Sequence, residues 1–271
     1  MRTRGNLRRL SAAAGLLWLA WFGPAAGAQP QASKAIGALK TQDRLLLEYR
    51  GDFGSGKEFR LTLEKAGTTV SGDYFYAKPL KDIPLEGEFI TEHDLVLHEV
   101  DGTGVAGATF SLSYATTDPR GHFSGSLLTN EVLMGSWSNA DNTESHPVYL
   151  YLIGEMRLAA GAGRYSIAGA DDDAAVEKNA EAFCSAVLKG NRTTAAKYVS
   201  YPLSFYVKGK QVEAQNRSEF LRKYDLIFTR EFRSRIASSI PHNMLATSQG
   251  IMLGNGEVWF NNEGKAFRLN N

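Results

Sequence analysis

Five histidines, one cysteine and a glycine-rich octapeptide are the residues of this chain best suited to chemistry, and none completes a constellation. Gly51-Asp52-Phe53-Gly54-Ser55-Gly56-Lys57-Glu58 comes close to a phosphate-binding loop. Such a loop ends in Ser or Thr, whose hydroxyl holds Mg²⁺, and it opens a helix whose N-terminus faces the phosphate. Here Glu58 takes the last place and the alternating run Phe59–Glu64 follows, so a hairpin loop is predicted instead. His93, His98, His122, His146 and His242 include no pair at the i, i+4 helical spacing of a zinc enzyme. Strand and loop surface positions are expected for them. No Gly-x-Ser-x-Gly elbow exposes a serine nucleophile. Cys184 lies beside an apolar helical stripe without a neighbouring base and reads as a buried structural thiol. Asp171-Asp172-Asp173 lacks calcium-loop spacing and reads as a helix cap that complements the helix dipole. Arg230, Arg233 and Arg235 form a basic patch near a helix C-terminus, where dipole compensation accounts for them. Neither a metal nor a cofactor is expected.

These residues sit in a chain of 271 residues, 43% apolar and 22% charged, long enough for two domains with cores. One Cys excludes a disulfide framework. The net charge is +1, but Arg2, Arg4, Arg8 and Arg9 stand in a segment with no acid. Without residues 1–28 the balance is 26 basic against 29 acidic, or −3. A mildly acidic chain of this kind argues against a nucleic-acid binder. The four arginines precede an apolar run, Leu10–Phe22, and Ala26-Gly27-Ala28 closes the segment. That order is a signal peptide's, and the run falls short of the roughly 20 residues that span a bilayer. Cleavage after Ala28 is expected, giving a soluble periplasmic or secreted protein with no membrane insertion. Residues 29–42 are small and polar and read as a flexible tail.

From 43 to 156 the pattern is strand after strand. Phe59/Leu61/Leu63 alternate with Arg60/Thr62/Glu64, and Val70/Gly72/Tyr74/Tyr76 with Ser71/Asp73. Ile83/Leu85/Gly87/Phe89, Leu95/Leu97, Phe110/Leu112/Tyr114, Phe123/Gly125/Leu127 and Val148/Leu150/Leu152 keep the same period. Period two with one apolar face predicts half-buried antiparallel strands. Turn signals recur between them, so eight or nine strands in a meander closing into a barrel are predicted. Gly72, Gly87, Gly125 and Gly135 inside the strand patterns suit barrel corners. Residues 157–173 change to Gly, Ala, Ser and Asp and read as a linker. Beyond it the period becomes helical: Val176, Ala180, Phe183 and Val187 line one helix from Asp173 to Lys189. A short helix, a strand pair around Leu203–Val207 and a long helix from Asn216 to about Ser238 follow, the last with Phe220, Tyr224, Ile227 and Phe228 as its stripe. Three closing strands are predicted, joined at Gly254-Asn255-Gly256 and Asn262-Glu263-Gly264. The fold class is therefore mainly β, an antiparallel barrel at 43–156 followed by an α+β domain at 174–271.

Tyr201-Pro202-Leu203, Tyr224-Asp225 and the run from Gly250 to Phe260 stand out in the last hundred positions. With the element order around them, 174–271 resembles the cone-shaped ketosteroid-isomerase-like or SnoaL-like superfamily of nuclear transport factor. The resemblance implies helices closing one side of a curved sheet over a pocket. Family enzymes place an Asp or His base and a Tyr donor there. Asp225 directly follows Tyr224, so the two helical side chains diverge by about 100° and do not share a substrate. The barrel resembles avidin-like or lipocalin-like barrels through Gly135-Ser136-Trp137. Within the cone, strand alternation puts Trp259 opposite Val258 and Phe260. Trp259, as the largest side chain, is expected against the helices, lining a ligand pocket with Tyr201 and Tyr224. The function expected is a non-enzymatic exported binding protein for a small apolar ligand or a protein partner, such as an inhibitor of a periplasmic hydrolase or toxin. The alternative is a cone-domain enzyme of isomerase or hydrolase type, with Asp225 or His242 as base.

Overall fold

The computed structural model describes residues 43–271 apart from 55, 102–105, 119 and 122–130. The leader at 1–28, the tail at 29–42, His122 and the alternation Phe123/Gly125/Leu127 lie outside the described residues. Eight antiparallel strands close a barrel in sequence order: β1 (Arg44–Asp52), β2 (Glu58–Ala66), β3 (Thr69–Phe75), β4 (Ile83–Phe89), β5 (Asp94–Val100), β6 (Ala106–Tyr114), β7 (Val132–Ser138) and β8 (Ser145–Leu158). The Gly51–Glu58 octapeptide is the connection of the first hairpin, with Asp52 paired to Glu58. Alternation sends Leu47, Tyr49, Phe59, Leu61, Leu63, Val70 and Tyr74 inward, where they join Leu97, Phe110, Leu133 and Leu150 in one buried cluster. The interior is packed with side chains, as barrels of about eight strands are. A Cβ on Gly72 would lie 1.9 Å from the Thr62 carbonyl oxygen, and one on Gly135 equally close to that of Ser111. Only glycine lets the strands coil that tightly at these corners.

The second unit is a six-stranded mixed sheet in the order β10-β9-β14-β13-β12-β11. Its strands are β9 (Val199–Val207), β10 (Lys210–Ala214), β11 (Leu245–Thr247), β12 (Gly250–Leu253), β13 (Val258–Phe260) and β14 (Ala266–Leu269). Helices Asp173–Leu188, Arg192–Ala195, Arg217–Ile227 and Arg230–Ser238 accompany it. Asp172 caps the first helix, its carboxylate accepting from the Ala175 N–H. The long helix expected from Asn216 to Ser238 is two helices. Thr229 breaks it, because its side chain accepts from the Phe232 N–H and so starts a new N-terminus. Val176, Ala180, Phe183 and Val187 are buried as their spacing requires, together with Phe220, Tyr224, Ile227 and Phe228. Cys184 is buried among them, and burial pushes its thiol up to about 12.

The two units share a seam. Leu46, Met156 and Leu158 point out of the barrel and belong to the core of the second unit. Residues 157–173 cross that seam as a packed strap. Tyr165 is fully buried there, and the Asp173 carboxylate accepts from the Arg164 and Tyr165 N–H groups. Among the described residues no helix is long and apolar enough to cross a membrane.

Candidate functional site

Period two puts Glu48 and Arg50 on the outer row of β1, and Arg60 and Thr62 on that of β2. This outer row faces the second unit. Glu48 and Thr62 are the two buried polar side chains of the described residues. The strap lays Arg164 across them. Its guanidinium forms an ion pair with Glu48 and donates to Thr62 Oγ1 at 3.1 Å. Thr62 in turn donates to Glu48 at 3.2 Å. Burial pushes the Glu48 carboxyl above its ordinary value, and Arg164 works against that rise.

A second polar layer adjoins the first. His242 Nδ1 meets Glu177 Oε2 at 2.6 Å, and Nε2 meets Asp82 Oδ1 at 2.7 Å. Ionised carboxylates only accept, so a ring bonded to one on each side carries both protons. Burial lowers the His242 pKa, but the two carboxylates outweigh burial and push it up to about 9. Glu177 also accepts from the Tyr165 hydroxyl at 2.7 Å and the Asn243 N–H at 2.9 Å. Asn243 adopts a left-handed conformation, φ 46°, and its amide donates to Asp73 at 3.0 Å. Burial, with Asp82 nearby, pushes Asp73 up to about 7.

Above these layers lies a cleft of about 140 Å³. Its barrel side is Glu48, Arg50, Arg60, Phe75 and Ile153; its sheet side is Ile240, His242, Met244, Leu245 and Met252, with Gly254 and Asn255 at the rim. Two barrel features shape it. Tyr49 pairs with Leu152 and Glu48 with Gly154, so Ile153 is the extra residue of a β-bulge, which turns its side chain toward the cleft. A Cβ on Gly154 would lie 2.4 Å from Leu245, so glycine there lets the second unit approach.

The residues expected to bind ligand are not gathered here. Tyr201 is half-buried and packs edge-on against Phe220, with ring centroids 6.4 Å apart. Tyr224 flanks the same Phe220 at 5.6 Å, fully buried, its hydroxyl without a hydrogen-bond partner among the described residues. Trp259 does not join them. Val258 and Phe260 are fully buried, and Phe260 meets Phe183 of the first helix at 5.8 Å. Trp259 therefore takes the opposite face, half-buried, opposite Met252 and Arg268 in the sheet register. The helical face accepted a flush aliphatic-aromatic pair, so the largest ring went to the other side. None of the three lines the cleft. Asp225, 68% exposed, pairs with Arg192 at 2.9 Å on the surface. Among the described residues no group of three or more His, Cys, Asp or Glu is placed to hold a metal ion.

Sequence reasoning missed Glu48, Arg50, Arg164 and Glu177 altogether. The outer-row alternation that shows Arg60, Thr62 and Asp73 was the available signal. Compared with family models, with curated proteins and with solved structures, this chain matches none. Its class is set by architecture: a closed eight-stranded antiparallel barrel bearing an α+β unit with a mixed sheet, and a cleft at their seam.

Proposed function

We propose that this chain is an exported, soluble binding protein that holds a small ligand in the seam cleft without turning it over. The observation that carries the reading is the cleft itself. Both cores are filled with side chains, whereas the seam leaves about 140 Å³ lined by polar and apolar side chains in equal measure. A cavity of this order accommodates a benzene-sized molecule. Binding rather than catalysis is supported by the state of the titratable groups: His242 is held protonated between two carboxylates, and Glu48 is occupied by Arg164. A general base needs a free lone pair within reach of its proton.

Export rests on the leader order from Arg2 to Ala28. The barrel keeps its apolar rows inside and Glu48, Arg50, Arg60 and Thr62 outside, the reverse of a membrane barrel. The helix-then-sheet order of the second unit supports the cone-shaped superfamily as its fold type. Native mass spectrometry of protein isolated from the periplasmic or extracellular fraction tests the reading. A chain starting at Gln29 and carrying a small-molecule adduct is expected, with the adduct lost in Met252→Trp, whose indole fills the cleft. An adduct retained by that variant removes the cleft from consideration.

A further inference from the structure

Arg50 and Arg60 face each other directly across β1 and β2. Opposed side chains on neighbouring strands stand about 4.5–5.5 Å apart at Cβ, and like charges there repel. Sheets ordinarily avoid such a pair or set a carboxylate beside it. Among the described residues neither guanidinium makes an ion pair or a side-chain hydrogen bond. Of the nearby acids, Glu48 is engaged by Arg164, and Glu177 and Asp82 by His242, while Glu58 on the same outer row makes no ion pair with Arg60 among the described residues. Glu48 and Glu58 steady Arg60 only through space, while burial and Arg50 both weigh against its charge. Arg50 is exposed and Arg60 half-buried, and both line the cleft. Two cations without an ion-pair partner among the described residues, lining a cleft that also holds Ile153, Ile240 and Met252, have one natural complement.

We propose that Arg50 and Arg60 form an oxyanion site, gripping the carboxylate of a small ligand whose apolar body lies against Ile153, Ile240 and Met252. The planar fork of arginine matches a carboxylate with two parallel hydrogen bonds. The anion would also relieve the repulsion between the two guanidiniums. This assignment rests on the cleft being a ligand site, and it adds the ligand's chemical class.

The test compares benzoate with its neutral isostere benzamide, both small enough for the cleft. Each is titrated into the ¹⁵N-labelled protein starting at Gln29 while amide shifts of 48–62 and 240–255 are followed. Benzoate should shift these signals saturably and bind at least tenfold tighter than benzamide. Arg50→Gln and Arg60→Gln should each weaken benzoate at least tenfold and leave benzamide unchanged, and Arg60→Lys should fall between. Each Gln variant must keep the parent's dispersed amide spectrum before titration, which separates a lost site from a lost fold. Benzamide binding as tightly as benzoate overturns the carboxylate assignment, as does full benzoate affinity in the Gln variants. No saturable shift from either probe overturns it as well. The cleft reading is judged separately, by the fate of the adduct in Met252→Trp.

Discussion

His242 is bonded on both ring nitrogens, and that makes the seam sensitive to pH in a definite direction. Its folded value of about 9 lies above the ordinary 6.5. A raised value contributes stability that is fully present below pH 6.5 and lost as the pH climbs through about 9. Asp73, raised from 3.8 to about 7, acts with the same sign over a lower window. Glu177 acts oppositely: its value is lowered, because bonds from His242 and Tyr165 outweigh burial, so its contribution is lost only in acid. The protein should therefore melt at a higher temperature at pH 6 than at pH 9.5. In His242→Gln the gap between the two pH values should shrink. An unchanged gap in that variant would remove His242 as the source of the pH dependence.

At the scale of elements, β13 decides how the sheet meets its helices. The three residues Val258, Trp259 and Phe260 alternate, so one face takes two side chains and the other takes the indole. Phe260 meets Phe183 edge-on, and Phe228 meets that ring edge-on as well at 6.2 Å. Phe260→Ala should then cost about 3–5 kcal/mol, as large aromatic core truncations do. Trp259→Ala should cost at least about 2 kcal/mol less, since a half-buried ring loses fewer contacts. Urea melts of the two variants measure the difference, and equal costs would mean that both sheet faces are core. The helical stripes were legible because a 3.6-residue period states which side of a helix is buried. The Thr229 break was not, since the apolar spacing continues through it from Phe228 to Phe232.

The molecule as a whole is joined by buried polar groups as much as by apolar ones. Arg164 in the strap and Glu48 on the barrel retain only 10% and 3% side-chain exposure. Removing one partner of such a pair leaves an uncompensated buried charge, so Arg164→Met should cost about 3–5 kcal/mol. Because Leu46, Met156 and Leu158 also serve the second unit's core, both units should unfold together. In the chain starting at Gln29, which leaves out Trp18 and Trp21, Trp137 lies in the barrel and Trp259 in the sheet, so each reports on one unit when the other is replaced by Phe. Coincident urea transitions from the two indoles are expected. Two separated transitions would show that the seam holds no cooperative link.

The amino-acid sequence by itself determined the elements and their inner faces. Period two in 43–156 and a helical period beyond 173 state which side of each element avoids water, and that depends only on neighbours along the chain. The hairpin at Gly51–Glu58, the corner at Gly72 and the cap at Asp172 were legible for the same reason: each is local. The candidate site was not. Glu48, Arg50, Arg60 and Thr62 read as an ordinary solvated row, because alternation gives the direction of a side chain and not what stands opposite. Arg164 sat in a stretch whose composition is a tether's, and Glu177 on the polar side of its helix. Only the docking of the second unit on β1, β2 and β8 buried Glu48 and Thr62, paired Glu48 with Arg164 and left Arg50 and Arg60 lining a cleft without an ion-pair partner among the described residues. That outcome belongs to contacts such as Glu48 with Arg164, 116 positions apart, and Asp73 with Asn243, 170 apart. No local pattern encodes a pairing at that separation.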